Sequence, residues 1–480
     1  MRTTAIIFLL ILVQSRVFAQ ETLTLEQAID RALSKSISYK KNKTALETSQ
    51  WRYREFQSYL KPQVKLSGNL PMYRKESVPV FQEDGSIQFR NVHQSQNDIT
   101  LSVDQGIAAT GGRLSLSSVL NRADNFDLRT SNYGSSPLII GYDQPLSSFN
   151  ELKWAKKLEP VRYNEGMKEF VEEREEISLN TARFFFDWML AQVNLEMANS
   201  NLSIADTILM IGEKKHVLGQ ISKDDLLRLK LAVIYSRKAV ANARLEIKST
   251  SVRLRSYAGL GESNGFVLSL PEEYNIFEVN VEDARSMAMT NSQIAVELNR
   301  RLLEAQQNSS KSKKESGLNA NLSVKYGVTN VGDNIGDAYS NVQDLQTVSL
   351  GFSMPIIDWG RQKAKRKSAD AQLKLTQFSI VQEEENLKQQ VVAVIEQFEM
   401  LQELVEYTRS ADKISQNRFD IATKRFMLGD IDITDLNIAR DEKDQGKQDY
   451  IRALRSYWES YYLIRKLTLY DFENNRKLTI

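Results

Sequence analysis

The chain has 480 residues and carries 63 basic against 61 acidic side chains, a formal net charge of +2, so nothing in its charge balance points to nucleic acid or another strongly anionic partner. With no cysteine, it excludes disulfides, thiol chemistry and a lipid anchored through a cysteine. Only 8 prolines, 26% charged residues and a mean hydropathy of −0.41 favour long solvated helices over several compact cores.

The chain opens with Arg2, an apolar run from Ala5 to Val13, and Val17, Phe18 and Ala19 ahead of Gln20, the pattern of a cleavable secretory signal peptide over residues 1–19. That run is too short for a spanning helix, and no later stretch reaches about 18 consecutive apolar residues. From Thr24 a capping box with Gln27 starts a helical pattern that lasts to about Leu60.

Alternation follows. Val64, Leu66 and Leu70 are interleaved with Lys65, Ser67 and Asn69, so a strand there has one apolar and one polar face. Ile99, Leu101 and Val103, then Leu114 and Leu116, form a further alternating pair around Gly106, Gly111 and Gly112. The last strand of the region, through Gly141, stops at Pro145. Because the chain leaves helices and returns to helices, the strand number is even, two or four here; Pro71–Asn97 and Asn121–Pro137 read as loops. A helical pattern then runs from about Glu151 to His216, which is roughly 100 Å at 1.5 Å per residue. It ends at Val217, Leu218 and Gly219, and Ile221 precedes a new helix capped by Ser222 and Asp225.

All of this happens twice. Gly351 and Pro355 repeat Gly141 and Pro145 at an offset of 210 (351 − 141), and the same offset carries the hairpin onto Met427, Leu428, Gly429, Ile431 and Asp435. Asn280 to Asp283 repeat the first helix start at an offset of 256, which leaves 46 extra residues (256 − 210) among the strands of the first half. The second half offers two strands, with Asn321, Ser323 and Lys325 on the polar face. The repeats are thus 20–260, with strands at about 62–144, and 261–480, with strands at about 318–355. The long runs also hold heptads, Leu387, Val391, Val394, Phe398, Leu401 and Val405 in the second, which pack helix on helix. Each short helix is near half the length of a long one, so two stacked end to end match it, as a tube requires. Strands facing lipid can leave no unpaired edge, so four to six per chain must be shared between copies.

The doubled strand-to-proline-to-helix junction and the doubled Leu-Gly-x-Ile-x-x-x-Asp-Leu hairpin resemble the outer-membrane efflux protein family, the TolC-like channels, over essentially the whole mature chain. The resemblance implies a mainly α fold with a membrane β-barrel part: a long periplasmic helical tunnel below strands shared by a homotrimer, of 12 or 18 strands in all. It implies the outer membrane of a Gram-negative bacterium, no enzymatic activity and no cofactor. Its partners are outer-membrane lipid, a periplasmic adaptor (membrane fusion) protein at the hairpin tips, and an inner-membrane pump of RND or ABC type. The role is the exit duct of a tripartite efflux pump, passing small molecules to the exterior; the alternatives are the duct of a type I protein-secretion system, or a pore-less periplasmic coiled-coil scaffold.

In the family, aspartates near the periplasmic aperture attract cations. Asp435 matches one and Asp225 is its counterpart, while helix capping also accounts for both, more fully for Asp225, and the two roles can coexist. Phe426 and Ile431 stand where a tyrosine and an arginine can tie the closed aperture, and Ile438 where a second aspartate can sit. Val217, Leu218, Gly219, Ile221, Met427, Leu428 and Gly429 are the adaptor-docking candidates; Trp359, Phe149, Tyr142 and Phe352 are candidates for an aromatic girdle. The only histidines, His93 and His216, have no metal-ligand spacing, and no phosphate loop or nucleophile elbow occurs.

Overall fold

The computed structural model describes residues 22–261, 266–271, 274–428 and 430–480; the expected signal peptide and Gly429 lie outside them. In chain order, β1 (Thr22–Leu23) leads to α1 (Leu25–Lys35) and α2 (Ile37–Tyr59). Four long strands follow, β2 (Gln63–Phe81), β3 (Ile87–Gly106), β4 (Arg113–Asn125) and β5 (Thr130–Pro145), then α3 (Glu151–Val217) and α4 (Lys223–Ala258). The second half runs β6 (Val267–Leu268), α5 (Val281–Asn291), α6 (Gln293–Glu315), β7 (Asn319–Gly332), α7 (Ile335–Tyr339), β8 (Gln343–Ser353), α8 (Arg361–Leu428) and α9 (Ile433–Thr468). A short hairpin, β9 (Tyr470–Asp471) and β10 (Arg476–Lys477), ends it. The long helices α3 and α8 have 67 and 68 residues and begin 210 positions apart.

Two compact units are present, the first Met1–Leu46, Met167–Ala295 and Glu384–Ile480, the second Glu47–Gly166 and Val296–Glu383. The first unit is helical. Thr24 and Gln27 close the expected capping box, fixing the start of α1. Its core is drawn from α1, α3, α4, α5, α8 and α9, with Phe185, Phe186, Phe398, Tyr457, Ile177 and Leu254 fully enclosed. Burying side chains of this size stabilises the unit by about 1.5–3 kcal/mol each. The α8 heptad is buried throughout, as the spacing requires. Beside this core Arg465 forms a double hydrogen bond to Glu175 at 2.7 and 3.1 Å and bonds Asp471 at 2.8 Å, which ties the C-terminal hairpin down. Burial works against its charge, yet the Glu175 bond and charge hold the Arg465 guanidinium above its ordinary value.

Within this unit ion pairs and hydrogen bonds give the order of the helices. Lys230 of α4 reaches Glu213 of α3, Arg455 of α9 reaches Asp187 of α3, and Lys447 of α9 reaches Asp412 of α8. The sequence is α4, α3, α9, α8, so α4 and α8 stand at the two ends of the layer.

The second unit holds one antiparallel six-stranded sheet in the order β2-β3-β4-β5-β7-β8. Four of its strands come from the first half of the chain, which resolves the two-or-four alternative. The expected loops Pro71–Asn97 and Asn121–Pro137 are instead mostly strand: β2 pairs with β3 up to Phe81 and Ile87, and β4 with β5 up to Asn125 and Thr130. The prolines in these stretches sit where a sheet tolerates them. Pro71 falls in the register shift between Asn69 and Met72, Pro137 in that between Ser135 and Leu138, and Pro79 is on the edge strand β2. Charge helps join the helices of this unit: Arg300 grips Glu165 at 2.5 and 3.1 Å, and Arg301 bonds Glu383 at 2.6 Å.

Candidate functional site

Register turns the alternation of single strands into faces of a whole sheet. Val64, Val103, Leu116, Ile140 and Tyr326 are successive partners across five strands, and one residue away the row reads Gln63, Asp104, Ser115, Gly141, Lys325 and Thr347. The apolar row has no layer over it: Val64 is 71% exposed and Leu116 43%. On β7 the apolar face extends from Ala320 to Val328, about 27 Å along the strand at 3.4 Å per residue, the height of a bilayer's apolar band. The predicted polar residues Lys65, Ser67, Asn321, Ser323 and Lys325 share the other face. Among the described residues, β2 pairs only with β3 and β8 only with β7, leaving both outer edges of the sheet open.

The two junctions differ although their sequences repeat. A Cβ at Gly141 would lie 2.4 Å from Ser115 Oγ, so a side chain there would make that hydroxyl turn away, whereas Gly351 on the outer strand meets nothing within 4 Å. Pro145 still pairs with Asn321, and Leu146 donates from its amide to the Ala320 carbonyl at 2.8 Å; Pro355 lies past the end of β8. Asn150 then caps α3, its Oδ1 accepting from the Lys153 amide at 2.9 Å while its Nδ2 donates to the Ala108 carbonyl in the β3–β4 turn at 2.9 Å. Asp358 does the same for α8, accepting from the Gln362 amide at 2.8 Å. Helical periodicity marks neither cap, although an Asn or Asp just ahead of the helix start is the available signal. Of the girdle candidates, Trp359 is 96% exposed and Phe352 is also exposed, but Phe149 lies under Lys311 and the Tyr142 hydroxyl is bonded to Gln144 Oε1 at 2.6 Å.

At the tips the local chemistry is again doubled and again unequal. Gly219 adopts φ +73°, and the Gln220 amide donates to the Lys215 carbonyl at 2.8 Å; Asp430 to Arg425 at 2.9 Å repeats that bond. Val217, Leu218, Met427 and Leu428 are 71–86% exposed, while Ile221, Phe426 and Ile431 are half-buried. Ser222 and Asp225 form a full capping box, and the Ser222 hydrogen bonds hold the Asp225 carboxyl below its ordinary value. The equivalent box at the second tip does not close. Asp432 accepts from the Thr434 and Asp435 amides at 2.8 and 3.0 Å, but the Asp435 carboxylate takes no bond back from the Asp432 amide, since the carboxylate at the cap repels it. Among the described residues nothing bonds the Asp435 carboxylate, and Ile438 nearby is exposed.

No helix among the described residues is long and apolar enough to cross a membrane, and no group of three or more His, Asp or Glu there could hold a metal ion. His93 bonds the Tyr73 hydroxyl at 2.9 Å, and His216 Nδ1 lies 3.0 Å from the Ile221 carbonyl oxygen, each serving its own hairpin.

The fold is that of known outer-membrane channels. VceC from Vibrio cholerae is 13% identical, with a TM-score of 0.63 over 92% of this chain and 95% of its own. CmeC from Campylobacter jejuni is 13% identical, TM-score 0.62, over 95% and 87%, and MtrE from Neisseria gonorrhoeae 12% identical, TM-score 0.62, over 95% and 91%. No curated protein sequence matches the chain. The profile of the outer membrane efflux proteins matches residues 28–260 and 289–468, so with its doubled junctions, doubled tips and half-lipophilic sheet the chain belongs to the outer membrane efflux protein family, whose members are TolC-like channels and not enzymes.

Proposed function

We propose that this protein is the outer-membrane exit duct of a tripartite efflux pump. The observation that carries the reading is the six-stranded sheet with one apolar face and two open edges, because a lipid-facing sheet persists only as a closed barrel. Three copies, the number the family resemblance implies, bring eighteen strands, within the size range that leaves an aqueous channel. The polar face with Lys65, Ser323 and Lys325 then lines a wet lumen, through which solutes pass by diffusion. Residues 1–19 direct export, and each mature chain is two repeats, 20–260 and 261–480, ending in the tips.

At those tips, the bare side chains Val217, Leu218, Met427 and Leu428, presented by the turn at Gly219 and by its repeat ahead of Asp430 and backed by Ile221, form the docking surface for a periplasmic adaptor, which recruits an inner-membrane pump of RND or ABC type. Asp435, unengaged by its own cap, is the aperture carboxylate; Asp225 is a cap. Phe426 and Ile431 close the aperture through apolar contact. Gly141, Pro145, Gly351 and Pro355 mark where barrel gives way to helices. The test is fractionation with mass measurement in detergent: the protein should sediment with the outer membrane and weigh as three chains, and its loss should make cells retain an efflux dye. A soluble monomer whose deletion leaves dye retention unchanged would overturn the reading.

A further inference from the structure

The two junctions carry matched positions at an offset of 210 and treat them differently. At the first, Ser147 Oγ accepts from the Ala320 amide at 3.0 Å, Gln144 Nε2 donates to the Thr110 carbonyl at 3.1 Å, and Phe149 is covered by Lys311. At the second, the equivalents Ile357, Met354 and Trp359, together with Phe352 and Ile356, are 57–96% exposed. Trp359 also sits at φ +54°, a left-handed conformation that strains a bulky residue, and gains almost no cover in return. These side chains continue the apolar face of the sheet. Val348, Leu350 and Phe352 lie exposed along β8, and Phe352 pairs with Ala320, where the apolar face of β7 begins. The segment 354–359 therefore leaves the sheet at the rim of its apolar band.

Directly after it, Arg361, Lys363, Lys365, Arg366 and Lys367 are exposed with no acidic residue among them, in a chain that is nearly neutral overall. Glu315 holds Lys365 at 2.9 Å, which leaves the other four without an acidic partner among the described residues. Local helix chemistry does not favour them: a helix start carries partial positive charge, and α3 places Glu151 where α8 places Arg361. Nor are the amides of that start free to hold an anion, since Asp358 accepts from Gly360 and Gln362 at 3.0 and 2.8 Å. What remains is the side chains. On a helix they lean towards its N-terminus, here towards the rim of the sheet, and the first two turns of α8 span about 10 Å. A bilayer's headgroup layer extends about 5–7 Å beyond the hydrocarbon, so long basic side chains on those turns reach it.

We infer that the segment from Phe352 to Lys367 is a lipid-anchoring surface, its apolar side chains seated at the hydrocarbon rim and its basic ones on the phosphates of anionic glycerophospholipids. The first junction is instead a corner fixed to the sheet. The inference rests on the reading that the sheet spans a bilayer, and adds which lipid the protein selects and through which of two repeated segments.

Detergent-purified protein, titrated with dioleoyl phosphatidylglycerol or dioleoyl phosphatidylethanolamine and weighed by native mass spectrometry, should hold the anionic lipid about tenfold more tightly. Lys363→Gln, Arg366→Gln and Lys367→Gln together should erase that preference while assembled mass and helix content stay unchanged. Their repeat equivalents, Lys153→Gln, Lys156→Gln and Lys157→Gln, remove the same charge from the first junction and should leave the preference intact. A wild type without preference, a first triple variant that keeps it, or two triple variants that lose it alike overturns the inference and leaves the duct reading standing. Trp359→Ala should weaken both lipids equally with the assembly unchanged; an assembly that falls apart instead means that the segment packs on another copy, which also overturns it. A protein that binds neither lipid and never enters a bilayer overturns both.

Discussion

In the helical unit Phe185, Phe398, Ile395 and Leu454 are sealed among their neighbours, whereas in the sheet unit Val64, Leu350 and Phe352 each leave 62% or more of their surface bare. The residue types are the same. What differs is the solvent each face is made for: helices that bury their stripes are built for water, and a sheet that displays one whole face is built for hydrocarbon. Apolar exposure in this chain is therefore ordered, because it falls on particular surfaces, on one face of the sheet and on the tips.

The comparison is easiest to break inside the helical core. Phe398→Ala should cost about 3–5 kcal/mol and lower the melting temperature of the helical unit, while Phe352→Ala should leave that melting nearly unchanged; equal losses would mean the sheet's apolar face is core after all. On the sheet, Leu116→Arg should cost about 2–4 kcal/mol if it faces the bilayer midplane, and abolish recovery in the outer membrane, while Thr347→Arg on the polar face should insert normally. If the two arginines behave alike, the faces have been misassigned. Glu in place of both Leu218 and Leu428 should reduce adaptor cross-linking at least tenfold with the trimer intact; unchanged cross-linking would place docking elsewhere.

Smaller effects separate the two tips. Ser222→Ala should destabilise the start of α4 by about 1 kcal/mol. Asp435→Ala should leave α9 unaffected, since Asp432 makes that cap, yet weaken block by multivalent cations from the periplasmic side; if block is unchanged, Asp435 has no aperture role. The smallest effect concerns Lys168, whose ammonium is pushed down to about 8 by burial and by Lys477. Its folded value lies below its unfolded one, so the penalty is fully present below pH 8 and fades towards pH 10.5. Lys168→Met should therefore raise thermal stability at pH 7 and make no difference above pH 10.5, a profile that melting curves across that range would check.

Much of this was legible in the sequence because repetition and period are properties of one dimension. The junctions, the glycine tips and the α8 heptad could be placed from spacing alone. Strand extent could not: Pro71, Pro79 and Pro137 look like loop residues until the register shows a bulge or an open edge beside them. The split between Asp225 and Asp435 was equally hidden, since it turns on whether the cap residue is a neutral serine or a carboxylate that repels the third-position one. Ion pairs such as Arg465 with Glu175, 290 residues apart, leave no local trace.

A closed ring of these sheets should conduct, and single-channel recording in a planar bilayer reads that out. Purified trimers should produce discrete, long-lived conductance steps that multivalent cations reduce from the tip side, with none from the Leu116→Arg protein. Trimers that reach the bilayer and pass no current would contradict it.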